Sequence, residues 1–442
     1  MKRLLYLVVI LSSLYISSCD DEYVMSTDTT HKVDIQLLYP EEENLESVEG
    51  VNVKLTSSLG ISFETATDAR GKATFMVPNG IYEATANEQR TKEFQTYYLH
   101  GINSGVIVSE EPQEKPVVVE MISSRSSQII IKELYNGGVQ KDDGSGNYQL
   151  DKYAIIYNNS GTKVSLKNFC LGMVNPYNAQ GGTNDYGLDG KLTYADKGYI
   201  PGGCAIWYLT RDFVLEPYQQ AVIALNGAID HTIAYKKSVD LSRADYCTYD
   251  MDDFDNTIYY PAPSDKIPTS NYFMAYKYGK GNAWPLSVSS PAFFIFKTEG
   301  MTPEEFASTQ DYHYTNGREG NISFCCAKVP TKWIIDAIEV FSTPELAKSR
   351  KRLTPDIDSG FASLTNQNGY SMYRNVNKEA TEGILGNKEK LVYNYVLGTK
   401  GSTDPTNIDA EASIKNGAVI IYQDTNNSTA DFHQRKQASL KD

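Results

Sequence analysis

Carboxylates able to hold a cation crowd one short stretch of the chain. Asp250, Asp252, Asp253 and Asp255, with the amide of Asn256, fall within seven residues. Calcium gathers about six to eight hard oxygens, and a helix-loop-helix calcium loop asks for Gly at its sixth place and Glu at its twelfth. Counted from Asp250 those places hold Asp255 and Pro261, so the run reads as a solvated loop, with a structural calcium site as the alternative. Asp142, Asp143, Ser145 and Asn147 around Gly144 and Gly146 form a smaller version. Tyr312, His313 and Tyr314 beside Asp311 are side chains of the kind that bind ferric iron or haem, and they fit an exposed strand equally well. No Cys-x-x-Cys pair and no Cys/His zinc spacing is present.

Catalytic signatures are missing as well. The chain has no Gly-x-Ser-x-Gly elbow, no His-Glu-x-x-His and no phosphate loop. Its five histidines, His31, His100, His231, His313 and His433, are scattered. The expectation is a protein that is not an enzyme. A hydrolase with an unrecognised site returns only if His231 or His313 lies beside acids or a cysteine in one cleft.

Thirty-two tyrosines stand against three tryptophans. Exposed tyrosine offers a broad contact face and a hydroxyl at small entropic cost, the property recognition loops exploit. It also packs well in strands. Tyr246, Tyr249, Tyr259, Tyr260, Tyr272, Tyr276 and Tyr278 crowd one region and are the candidate ligand-binding set for an unknown small ligand.

Cys19 is a thiol with a different fate. Lys2 and Arg3 open the chain, an apolar run follows from Leu4 to Ile16, and Ser17 and Ser18 precede the cysteine. The run is shorter than the roughly 20 apolar residues of a membrane span. The layout resembles the lipobox of bacterial lipoproteins, which implies cleavage before Cys19 and lipid on its sulfur. Each buried methylene contributes about 0.8 kcal/mol, so two or three acyl chains hold a protein on a membrane stably. Asp20, Asp21 and Glu22 resemble the acidic export signal of some Gram-negative lipoproteins, which implies the outward face of the outer membrane. Asp28-Thr29-Thr30 resembles an O-glycosylation sequon centred on Thr29.

The formal charge of −14 argues against nucleic acid, whose phosphates must be neutralised by Lys and Arg. Hydrophobic residues at 41% and charged residues at 22% are ordinary for a globular protein. Beyond Cys19 there are Cys170, Cys204, Cys247, Cys325 and Cys326, too few for a disulfide scaffold. Cys325 and Cys326 read as alternating faces of one strand, at most one of them bridged.

The elements that must position these groups are strands. Residues 63–67, 72–77 and 81–86 alternate in polarity, punctuated by Gly71 and Gly80, and read as a β-meander. Thr67, Asp68, Gly71, Lys72, Ala73, Phe75, Pro78, Gly80 and Tyr82 make this run resemble the carboxypeptidase-regulatory, transthyretin-like module of bacterial surface proteins. That resemblance implies a structural or interaction unit without a peptidase site. After the polar break at 123–127 come apolar strands at 128–135, 153–157 and 164–169. With 221–225, 333–339 and 424–432 they resemble a lamin-tail-like immunoglobulin sandwich. Ile155 stands where that pattern commonly has glutamate, so no polar role carries over there. Residues 170–330, rich in Tyr, Gly, Asn and Asp, read as inserted loops or hairpins. Few helices are expected; 303–308 and 344–350, each opened by Pro beside Thr, are short candidates.

The expected fold is all-β: a small transthyretin/Ig-like sandwich, then a larger lamin-tail-like sandwich with long insertions and few short helices. Its divisions are a signal peptide at 1–18, a polar tether at 19–32, and domains at 33–122 and 123–442. This order resembles an uncharacterised family of outer-membrane lipoproteins whose members accompany TonB-dependent receptors. It implies a non-catalytic surface protein, lipid-anchored in the membrane, that captures a ligand for nutrient or iron uptake without a cofactor. A surface scaffold or adhesion module is the alternative.

Overall fold

The computed structural model describes residues 29–41, 45–57, 60–92, 95–180, 185–188, 190–284, 286–315 and 325–442. Cys19, the signal segment and most of the tether lie outside the described residues. The architecture is all-β with a few short helices, and no described helix is long and apolar enough to cross a membrane. The chain divides into one unit made of residues up to 88 with 100–122, and another made of 89–99 with 123–442. Residues 89–99, placed with the first domain by sequence, are thus counted with the second.

In the first unit Val33, Ile35 and Leu37 alternate inward from the strand His31–Leu38, and Ala73, Phe75 and Val77 do so from Lys72–Val77. These two strands pair antiparallel. Ser62–Ala66 instead pairs with Asn52–Ser57, which also takes Gly80–Lys92. The expected meander is therefore corrected: successive strands in this stretch join different partners. The connection explains it. Asp68 Oδ1 accepts the backbone N–H groups of Arg70 and Lys72 at 2.9 and 3.0 Å, and Gly71 turns with φ +72°. The carbonyl of Gly71 then receives the N–H of Leu37 at 3.0 Å, which lays Lys72–Val77 beside His31–Leu38.

The second unit is built on a twelve-stranded sheet. One half carries Ile334–Ser342, Ala292–Lys297, Phe169–Met173, Ala205–Tyr208 and Tyr272–Lys277; the other carries Gln220–Ala224, Tyr153–Asn158, Ile129–Tyr135, Ser371–Arg374 and Phe432–Arg435. The sheet folds over so that Ile334–Ser342 lies against Ile129–Tyr135. Between the halves sits a core of Ile131, Ile156, Ile223, Trp207, Phe293, Ile295, Ile338 and Val340. Outer faces are covered too. Phe294, Phe296 and Ile206 pack under Phe306 and Trp333, while Tyr135, Tyr153 and Ile155 pack under Val239, Leu241 and Ile267. Strands buried on both faces need apolar residues at every position, which is why Ala292–Lys297 reads Ala-Phe-Phe-Ile-Phe-Lys rather than alternating.

One buried charge cluster ties the halves together. The Arg374 guanidinium bonds Asp336 and reaches Asp424 at 3.0 Å and Asp431 at 3.8 Å. Its Nε donates to the Ile131 carbonyl at 2.7 Å, and Asp336 accepts the Ile131 N–H at 2.6 Å. The helix Pro303–Ser308 forms where sequence expects it. Thr302 and Glu305 cap it reciprocally, at 3.2 Å from the Glu305 N–H and 2.8 Å from the Thr302 N–H. The second expected helix is a 3-10 segment, Thr343–Lys348. Cys170, Cys204, Cys247, Cys325 and Cys326 are all free thiols.

Candidate functional site

The seven candidate tyrosines do not assemble into one face. Tyr246 is core, 5.2 Å from the ring of Phe213 and 6.1 Å from that of Phe273. Tyr260 packs on Trp207 at 5.7 Å, and its hydroxyl accepts the Trp284 N–H at 3.0 Å. Tyr278 is buried beside Tyr276 in the outer-face core. Half-buried Tyr249 and Tyr259 flank the central core, and Tyr249 also packs with Tyr272 on the outer one, their rings 5.6 Å apart. The expectation of one tyrosine recognition surface is corrected for Tyr246, Tyr260 and Tyr278, which are core, while the other four are half-buried against three different cores.

The acidic stretch is a structural loop. Asp250 is buried, with Oδ1 accepting the Asp252 N–H at 3.1 Å and Oδ2 accepting the Ala275 N–H at 2.9 Å. Asp253, whose carboxyl is pushed up first by burial and then by Asp250, offers its backbone carbonyl to Lys277. Asp252 and Asp255 are exposed. Among the described residues no group of three or more His, Cys, Asp or Glu side chains is placed to hold a metal ion. Thr29 is exposed, and Asp28 lies outside the described residues.

A polar cleft of about 250 Å³ in the second unit is a different matter. Lys237, Lys436 and Lys441 line it, together with the amides of Gln140, Gln367, Asn368 and Gln437. No acidic side chain and no aromatic ring is among its lining residues. Its walls are fixed from several directions. Gln140 ends the strand Val139–Gln140, entered through Gly138 at φ +69°, where a Cβ would stand 2.2 Å from the Tyr148 carbonyl. The turn at 365–369 hangs on that same point, since the N–H groups of Gln367 and Gly369 donate to the carbonyls of Gly137 and Gly138 at 2.8 and 2.9 Å. Lys436 follows the strand Phe432–Arg435. Beyond it Ser439 is tied to the buried Glu133 carboxyl through its N–H at 3.0 Å and through its hydroxyl.

Two of the three ammonium groups are held by backbone carbonyls. Lys441 Nζ donates to the carbonyls of Lys237 and Ser238 at 2.7 and 3.0 Å, and Lys436 Nζ to that of Val396 at 3.3 Å. Partial burial pulls the Lys441 ammonium down, while Asp151 and Asp142 favour its charge. Among the described residues no ion pair joins any of the three to a carboxylate. Lysines in no direct ion pair, beside amides of which that of Gln437 already donates to the Lys441 carbonyl and to Asp442 at 3.2 and 3.1 Å, suit a ligand carrying carboxylate, sulfate or phosphate oxygens. Sequence reasoning missed this site because its residues span positions 140 to 441 and share no motif. A second cleft, in the first unit, is lined by Lys32, Asp34, Glu110 and Glu111, and Lys32 is already paired with Asp34 at 3.1 Å.

The histidines are held apart from one another. The Tyr148 hydroxyl donates to His231 Nδ1 at 2.6 Å, and His231 Nε2 donates to the Gly227 carbonyl at 2.6 Å. His433 lies between Asn375 and Tyr395 at 2.7 Å from each, and burial, with Arg435 beside it, drops its pKa to about 3.

Residues 216–389 match a family model described as "Protein of unknown function (DUF4876)". The fold is similar to that of a solved crystal structure of a DUF4876 family protein from Bacteroides thetaiotaomicron VPI-5482. The TM-score is 0.53 at 20% sequence identity, covering 91% of this chain and 94% of that one. That likeness bears out the all-β fold. No curated protein matches the chain.

Proposed function

We propose that this protein, carrying a DUF4876 match on an all-β fold, is a non-catalytic binding protein of the outer-membrane surface. Lipid on Cys19 holds it to the membrane facing outward, and the lysine and amide cleft captures a small anionic ligand for a TonB-dependent receptor. The anchor and the receptor association rest on the lipobox and on the resemblance to transthyretin-like and lamin-tail-like modules. The capture role rests on one observation: on a chain of formal charge −14, the cleft gathers three lysines and no acid. A local field of opposite sign to the whole molecule concentrates anions where the amides can orient them. Without an aromatic platform a neutral sugar has little to stack on, so charge is the selective element. The ligand binds without a cofactor.

Calorimetric titration with glucuronate, inorganic sulfate and inorganic phosphate, with glucose as the uncharged control, tests this. At least one anion binds and glucose does not. Charge-assisted hydrogen bonds contribute about 1.5–3 kcal/mol each, so Lys237→Glu and Lys436→Glu each weaken binding roughly tenfold or more. No binding by any anion, or binding that ignores both substitutions, removes the capture role and leaves a surface scaffold.

A further inference from the structure

A thiol and an imidazole meet elsewhere in the second unit, and the pairing does not depend on the capture reading. Cys325 Sγ stands 3.6 Å from His313 Nδ1. On the far side of the ring His313 Nε2 is 2.8 Å from the carbonyl of Ala307. A carbonyl only accepts, so Nε2 carries the ring proton and Nδ1 is the free lone pair facing the thiol. The imidazole is thus fixed in one tautomer and one orientation. Ala307 belongs to the helix Pro303–Ser308, whose final carbonyls lack helical partners and are open to such a bond. The Tyr278 ring meets the imidazole edge to face, with centroids 5.0 Å apart.

We propose that Cys325 is a reactive thiol, with His313 as its base and the Ala307 carbonyl as the base's orienting group, and that it exchanges with small disulfides. The other thiols are poorly suited to this. Cys170, Cys247 and Cys326 are buried at 0%, 0% and 1% exposure, and Cys326 donates to the Tyr314 carbonyl at 3.5 Å. Cys204 is half-buried too, but its partner is the Tyr177 hydroxyl and, among the described residues, it has no imidazole beside it to take its proton. Cys325 is half-buried and coupled to a base. Burial raises its thiol, so the sulfur keeps its proton until a base takes it, and His313 is placed to do so. Other groups close by are Asp311, two residues before His313, and Lys328, which donates to the Asp311 carbonyl at 3.3 Å. The Tyr278 hydroxyl, on a side chain 3% exposed, has no hydrogen-bond partner among the described residues.

The exchange balances without a further reagent. The thiol proton passes to His313 Nδ1 as the Cys325 sulfur attacks one sulfur of the incoming disulfide. The old S–S bond breaks, and the departing thiolate takes the proton from the imidazolium. The product is a mixed disulfide on Cys325 and one free thiol.

Peptide mass spectrometry after timed exposure of the folded chain to oxidised glutathione, and in parallel to iodoacetamide, reads the rate at each cysteine. Cys325 reacts at least about tenfold faster than Cys170, Cys204, Cys247 or Cys326. His313→Gln slows Cys325 about tenfold and moves its pH profile to that of an unassisted thiol. Labelling of Cys170 and Cys247 reports folding in every sample, because a misfolded variant exposes all five together. Equal rates at Cys325 and the buried thiols, or an unchanged Cys325 rate in a folded His313→Gln protein, overturn the proposal.

Discussion

His433 shows what an interior without water does to one titratable ring. It is neutral in the folded protein because burial drops its pKa to about 3, against an ordinary value of 6.5. Above about pH 6.5 neither state protonates it, and its packing contributes in full. Below that the unfolded chain takes a proton that the folded one refuses, so stability falls with pH until about 3, at up to roughly 1.4 kcal/mol per pH unit. His433→Gln should therefore be less stable near neutrality, yet lose stability less steeply on acidification, as urea unfolding across that pH range will report. Parallel curves would remove His433 from the acid response. Single residues were also where the sequence misled most. Tyrosine composition carries no sign of whether a ring faces solvent or a neighbouring ring, so Tyr246, Tyr260 and Tyr278 looked like a recognition set and are core. His313 reads from sequence as a side chain able to bind iron or as part of an exposed strand, and its partners in the fold are a carbonyl and a thiol.

At the scale of elements, the Arg374 cluster is where the most cohesion rests on the fewest atoms. Its guanidinium joins Ser371–Arg374, Ile129–Tyr135 and Ile334–Ser342, and lies 4.4 Å from the centre of the Phe432 ring. Arg374→Met keeps much of the volume but leaves Asp336, Asp424 and Asp431 buried without their cation, which costs about 3–5 kcal/mol in urea unfolding. Adding Asp336→Asn to that variant should recover part of the loss, since one uncompensated charge is gone. A loss below about 1 kcal/mol for the single change would show the cluster to be incidental. Strand positions were legible in part: the apolar run at 129–131 is a strand as read, whereas 205–208, 272–277 and 292–297, inside the stretch read as inserted loops or hairpins, are strands of the main sheet. Pairing was not. Nothing in residues 62–77 says that the turn at Gly71 leads away to His31–Leu38 rather than back along Ser62–Ala66, because a tight turn has the same composition in both cases.

The chain as a whole is acidic and its second unit carries a basic recess, and its proposed setting can be tested apart from its ligand. On the proposed reading Cys19→Ala releases the protein from the membrane fraction, and the native protein co-purifies with a TonB-dependent receptor in near-equal amount after gentle solubilisation. Retention of the Cys19→Ala protein would remove lipid as the anchor, and recovery of the native protein alone would separate it from uptake. The recess also has a history in time. Gln140 is among the early residues of the second unit, whereas Lys436, Gln437 and Lys441 are made after every other residue that lines it. During synthesis the cleft thus has no basic far wall until translation has passed position 441, and Glu133 waits through some three hundred residues for Ser439. A chain that stops short of Lys436 therefore lacks two of the three lysines and the Gln437 amide, and on the proposed reading it loses its anion affinity.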